Sequence, residues 1–317
     1  MQRYKQKEPH NSMKGMAIKM LKKVVVILEK DPSKEENDAF KEMLVREDID
    51  CVWYIAEKES EKEKNANGIG AEMEGVLAEI DEEAKNNYGI LFISSNPEIC
   101  RLALKAKCSC IAYLGENNKS FEGIRYAVES LGNIDGKYLN RICLRYAGLP
   151  WEILRTERCL LREMTTEDVD AFYEVYSDPS ITTYMEGLYP VKEQEVDYIR
   201  KYIKNVYEFF EYGLWTVVEK RRGKIIGRAG LSWREETETV ELGYVIAKPF
   251  QGQGYAYEVC DAILKYAHEQ LEMEQIAAYV KEENEASKAL CRKLKFEQKG
   301  KITIRNSSYK KWLKTFN

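Results

Sequence analysis

Histidine is almost missing: His10 and His268 are the only two in 317 residues. That scarcity excludes a Ser-His-Asp or Cys-His triad, so any catalysis has to draw on carboxylates, hydroxyls or backbone amides. Long apolar runs are lacking as well. Val24–Leu28, the longest near the N-terminus, is too short for a signal-peptide core or a membrane span, and the expectation is a cytoplasmic protein with no membrane partner. Eight cysteines, at 51, 100, 108, 110, 143, 159, 260 and 291, lack the dense spacing of a secreted disulfide framework and read as reduced thiols. Cys108-Ser109-Cys110 has no accompanying Cys-x-x-Cys pair, so no metal is expected. A broad basic face is also wanting. Lys plus Arg total 49 against 53 Asp plus Glu, and Arg3, Lys5, Lys7, Lys14 and Lys19 face only Glu8 in the first twenty residues, which leaves the remainder distinctly acidic. Phosphate backbones require the opposite, and nucleic acid is set aside as a partner.

What is present describes a globular chain of about two domains, with 44% hydrophobic and 32% charged residues. Residues 1–20 are polar and aperiodic and read as a flexible tail. Strand-like Val24–Leu28 precedes Ser33-Lys34-Glu35-Glu36, a capping-box pattern, and then Phe40, Met43 and Leu44 at helical spacing. The alternation continues with a strand over 51–56, a charged loop over 57–64, a helix over 69–85, a strand over 89–93, a helix over 97–107, a strand over 110–114 and more helix from Phe121. Residues 21–148 thus read as a three-layer, Rossmann-like α/β domain. Gly148-Leu149-Pro150-Trp151 breaks the pattern, and 149–157 reads as a linker. Beyond it the order turns α+β: a strand over 159–163, the cap Thr165-Thr166-Glu167-Asp168, and a long helix over 191–212. A hairpin over 214–233 and a strand over 239–247 follow. Then come a helix over 256–271, a strand over 275–280, a helix over 285–294 and closing strands near Ile302 and Trp312.

Between a strand and a helix lies Gln251-Gly252-Gln253-Gly254-Tyr255-Ala256. Glycines there let consecutive backbone N–H groups approach an anion, and the helix N-terminus adds a favourable dipole. The Gly-x-Gly-x-x-Gly and Gly-Lys-Ser/Thr fingerprints are absent. The segment instead resembles the acetyl-CoA loop of the GNAT acetyltransferase superfamily, Gln/Arg-x-x-Gly-x-Gly/Ala, at Gln251, Gly254 and Ala256. Glu241–Ile246 looks like the preceding family strand and Asn284–Leu290 like the later motif. The resemblance covers residues 158 to about 300, and the Asn-x-x-Ser form is similar to the branch that acetylates protein N-termini and related amines. It implies a GNAT fold over 158–317 with a splayed mixed β-sheet and acetyl-CoA as cosubstrate. It also implies direct transfer to a primary amine of a small molecule or a protein N-terminus.

By the same resemblance, Val245 and Ile246 supply backbone to pantetheine, Gln251 to Ala256 bind pyrophosphate, and Asn284 and Ser287 hold the cofactor. Glu241 is the candidate base, with a solvent-facing edge glutamate as its bland alternative; strand alternation puts it on one face with Gly243 and Val245. Relatives commonly place an acidic tyrosine where this chain has Cys291, so Ser287 is the candidate acid, while Asn284 also suits a helix cap. Lys295 stands where relatives have glycine. Tyr184 and Glu186, with Trp215 nearby or in the core, mark the acceptor side. A noncatalytic CoA-binding or regulatory protein is the alternative. In the first half, Ile93-Ser94-Ser95-Asn96-Pro97 resembles the latter part of haloacid-dehalogenase-like domains, but Leu28-Glu29-Lys30-Asp31 replaces their Asp-x-Asp, and the expectation is a noncatalytic scaffold or a ligand-sensing module.

Overall fold

The structure, a computed structural model, describes residues 19–55, 87–115, 119–132, 134–207, 209–210 and 212–316. The charged loop expected over 57–64, the helix over 69–85 and nearly all of the tail lie outside them. Two compact units meet in sequence between Trp151 and Glu152.

The first unit is a parallel sheet of order β2-β1-β3-β4-β5, with β1 Lys23–Leu28, β2 Asp50–Ile55, β3 Asn87–Ser94, β4 Cys108–Tyr113 and β5 Ala127–Val128. Period-two alternation splits its core in two. Val24, Val26 and Leu28 pack with Phe40 and Leu44 of helix α1 (Lys34–Arg46) and Leu139 and Ile142 of α3 (Gly136–Tyr146). Val25 and Ile27 pack with Ile99 and Ala103 of α2 (Pro97–Lys105) on the other face. Helices therefore cover both faces, as a parallel sheet requires. Ser33 accepts from Glu36 N–H and starts α1 where the sequence pattern places it. No helix begins at Phe121, because Gly123 takes φ +82 and the next helix waits for the Asp135 cap.

The second unit is an eight-stranded mixed sheet of order β12-β13-β11-β10-β9-β8-β7-β6. Its strands are β6 Glu152–Arg155, β7 Cys159–Arg162, β8 Leu214–Glu219, β9 Lys224–Arg234, β10 Thr239–Ile246, β11 Gln275–Val280, β12 Glu297–Ile304 and β13 Ser307–Thr315. The helices are α4 Val169–Tyr176, α5 Lys192–Tyr202, α6 Tyr255–Glu269 and α7 Glu285–Lys293. Part of the expected linker is a strand: β6 pairs antiparallel with β7, and four residues behind Pro150-Trp151 are too few to announce themselves as one. The expected helix over 191–212 is regular only to Tyr202 and closes in a π-helical turn, Ile203–Tyr207. Trp215 is fully buried, edge-on to Tyr266, and belongs to the core rather than to an acceptor pocket.

Every neighbour of β10 is antiparallel except β11. β10 pairs with β9 along its whole length, Thr239 to Ile246, but with β11 in parallel at a single position, Glu241↔Ala277. Past that pair the two strands part and leave a wedge in the sheet.

Candidate active site

Three elements meet at the wedge. The first is the open edge of β10. Ala247 N–H donates to Ile226 O of β9, and a Cβ on Gly227 of β9 would stand 2.0 Å from Val245 O. Residues 245 and 247 therefore turn their backbone toward β9, and alternation turns that of Tyr244 and Ile246 toward the gap. This corrects one expectation: Val245 lies at the right height, but its backbone is directed into the ladder, and Tyr244 stands beside Ile246 on the open side.

The second element is the loop before α6. Gly252 and Gly254 adopt φ +71 and +83, left-handed values that favour glycine, and no side chain caps α6. The first helical bond there is Glu258 N–H to Gly254 O, so the N–H groups of Tyr255, Ala256 and Tyr257 carry the unsatisfied positive end of the dipole. The glutamines do not reach outward: Gln251 Nε2 donates to Ile246 O at 2.8 Å and Gln253 Nε2 to Pro249 O at 2.7 Å. They brace the loop and tie it to the end of β10.

Sequence reasoning missed Arg158. Its backbone N–H and Nε donate to Glu258 at 2.7 and 2.6 Å, Nη1 donates to Gln253 O at 2.9 Å, and its guanidinium lies 4.2 Å from the Tyr255 ring centre. One side chain thus clamps both ends of the loop. Partners about a hundred positions away leave no local signal. Arg158, Lys220, Arg221 and Arg222 line a surface cavity of about 690 Å³ beside the loop, with Glu157 and Glu219 also on its wall.

The third element is the start of α7. Asn284 Oδ1 accepts from Ser287 N–H at 3.0 Å and caps the helix, and Ser287 Oγ lies 2.9 Å from Tyr244 Oη. Burial pushes the Tyr244 phenol up and raises the Cys291 thiol to about 12. Tyr184, in the loop before α5, donates to Glu283 O at 3.3 Å, which brings it to the same helix start; Glu186 is exposed on that loop.

Glu241 is not a solvent-facing edge residue. Its side chain is 15% exposed, and Arg234 Nε donates to Oε2 at 2.6 Å with Nη2 on the same oxygen. Burial raises its carboxyl above the ordinary value against the lowering effect of Arg234. Alternation sets it on the face opposite Tyr244, so the wedge is flanked by a carboxylate on one face and hydroxyls on the other. Among the described residues no group of three His, Cys, Asp or Glu is placed to hold a metal ion.

Comparison with known proteins supplies a family model, the acetyltransferase (GNAT) domain, matching residues 158–297. An uncharacterized N-acetyltransferase p20 of Bacillus licheniformis is 30% identical over 153 residues, 47% of this chain and 84% of that protein. An uncharacterized N-acetyltransferase YoaA of Bacillus subtilis is 28% identical over 151 residues, again 47% and 84%. Among solved structures, a GNAT-family acetyltransferase from Bacillus anthracis aligns with 50% of this chain and 95% of its own, at 22% identity and TM-score 0.43.

Proposed function

The chain belongs to the GNAT acetyltransferase family and is an acyltransferase, and from that premise we propose that it transfers acetyl from acetyl-CoA directly to a primary amine of a small molecule or a peptide N-terminus. The observation that carries this reading is the wedge between β10 and β11, with the uncapped N-terminus of α6 at its rim. A pyrophosphate suits the N–H groups over 254–257, which have no partner within the helix, and glycine keeps the approach clear, while the cations around Arg158 add favourable potential. Gly252, Gln253, Tyr255 and Ala256 enter through backbone, whereas Gln251 positions the loop. Pantetheine fits the open edge of β10 at Tyr244 and the Ile246 N–H, Ile246 O being already held by Gln251 Nε2, and the thioester then falls in the gap with Asn284 and Ser287 beside it.

The chemistry follows from which groups flank the gap. An ammonium cannot attack, so Glu241, made more basic by burial, takes the proton as the nitrogen closes on the thioester carbonyl. The nitrogen lone pair forms the C–N bond, and the C–S bond breaks with its electron pair on sulfur, where Ser287 donates a hydrogen bond. The adduct's second surplus N–H proton passes to that sulfur, so that CoA leaves as a thiol. Tyr184 and Glu186 flank the entry on the amine's side, where an aromatic face and a carboxylate favour a cation. For the first unit we propose a noncatalytic, haloacid-dehalogenase-like scaffold. The polar side chains of the segment that carries the resemblance serve the fold: Ser94 donates to Ile27 O, Ser95 accepts from Glu29 N–H, and Asn96 caps α2.

The test is thiol release from acetyl-CoA with spermidine and with a short peptide bearing a free N-terminal serine. Turnover that disappears on blocking the amine supports the reading. Acetyl-CoA binding without turnover of either would remove this choice of acceptor class.

A further inference from the structure

We propose that Tyr244 is a positioning residue, which donates its phenolic proton to Ser287 Oγ and so frees the serine's own proton for the sulfur of the leaving group. The proposal rests on the assignment of Ser287 above and goes beyond it. Cys291 occupies the helical position from which a hydroxyl would be expected, and its thiol, raised to about 12 by burial, is a weak donor. A tyrosine hydroxyl nevertheless reaches the same helix from the strand: Tyr244 Oη and Ser287 Oγ are 2.9 Å apart, across 43 residues of sequence.

The direction of that bond decides its effect. Each hydroxyl carries one proton and can accept as well. The phenol is the more acidic of the two and therefore the better donor, and burial keeps it protonated throughout the working pH range. With Tyr244 donating, the Ser287 proton is left to find another acceptor. The Ser287 main chain is already fixed by its N–H bond to Asn284 Oδ1. Backbone and acceptor lone pair being both occupied, one rotor remains, and the unpaired side of β10 lies next to it. Without Tyr244 the hydroxyl is free to turn among its staggered positions. A donor held in place before charge develops on sulfur needs no reorganisation when the C–S bond breaks.

The experiment uses the full chain and CoA alone. The thiol pKa of bound CoA is read from the ultraviolet absorbance of the thiolate, as a difference against the CoA-free protein. A donor aimed at sulfur holds this pKa below that of free CoA; Tyr244→Phe and Ser287→Ala should each raise it by about 1, a tenfold change in the proton equilibrium. The double variant should go no further than Ser287→Ala, since the two residues act in series. A shifted Ser287→Ala beside an unshifted Tyr244→Phe, or two shifts that add, would overturn the proposal and leave Ser287 in its role. If neither variant shifts, the Ser287 assignment falls and the proposal with it; CoA failing to bind overturns both through the cofactor reading.

Turnover gives a second arm. Hydroxylamine is already unprotonated near neutrality and needs no base, so with it the rate reports on the leaving-group side. Each variant should lower kcat about 10-fold with KM for acetyl-CoA unchanged. A raised KM at unchanged kcat would make Tyr244 a packing residue and contradict the proposal.

Discussion

Replacing Glu241 with glutamine keeps size and hydrogen bonding but removes the proton acceptor. The side chain is 15% exposed, so bulk water is a poor substitute for it in the gap. General-base catalysis contributes about 100- to 10,000-fold. Arg234 occupies Oε2 and draws down the basicity that burial raises, which points to the lower end, about 100-fold or 2.7 kcal/mol in the barrier. The loss should appear with spermidine, protonated at neutral pH, and largely vanish with hydroxylamine. The pH profile carries the sign. The base works ionised, so activity rises with pH through its folded-state pKa, and because burial raises that value the acidic limb lies above the ordinary glutamate range. Arg234→Met removes the cation that lowers it and should move the limb further upward. Thiol release followed against pH with both acceptors measures all of this. Equal losses with the two nucleophiles, or a limb that moves down in Arg234→Met, would refute the assignment of Glu241.

Lys295 holds φ +62 between α7 and β12, and Lys295→Gly should stabilise the acetyltransferase unit by about 1 kcal/mol, the usual cost of the left-handed region for a residue with a Cβ. Denaturant unfolding reads the change, and a loss of stability would contradict it. Gly227→Ala is expected to act oppositely: its Cβ would meet Val245 O at 2.0 Å, β10 would have to shift, and about 2 kcal/mol of stability should go together with acetyl-CoA affinity.

Most of the fold was legible because its signals are local. Ser33 and Asn284 announce caps, alternating valines announce β1, and the paired glycines after β10 announce a turn into a helix. Lys295 shows that a resemblance can carry conformation as well: the residue adopts the left-handed backbone implied by a glycine position that it does not conserve in type. Illegible features share one cause, the joining of distant residues. Arg158 clamps Gln253 and Glu258, and Tyr244 meets Ser287; each pairing depends on strand order and helix placement, which no window of sequence contains. Strand phase is subtler. Sequence alone places Val245 and Ile246 together at the edge, but the hydrogen bond from Ala247 to Ile226 decides which of them faces the gap. Glutamine in the loop misleads for a related reason, since its side chain braces the turn that its backbone was expected to present.

The central claim is that the loop before α6 receives the pyrophosphate of acetyl-CoA, and calorimetric titration of the purified chain tests it most directly. Wild-type protein should bind acetyl-CoA in the micromolar range. Gly254→Glu places a carboxylate at the helix start, beside a Cβ 3.4 Å from Arg158 Nη2, and should weaken binding at least about 100-fold through charge repulsion and crowding. Gly254→Asn, which tolerates φ +83 and adds no charge, should retain most of the affinity if the fold is intact. Wild-type protein that fails to bind, or a Gly254→Glu variant that binds as wild type does, would contradict the account.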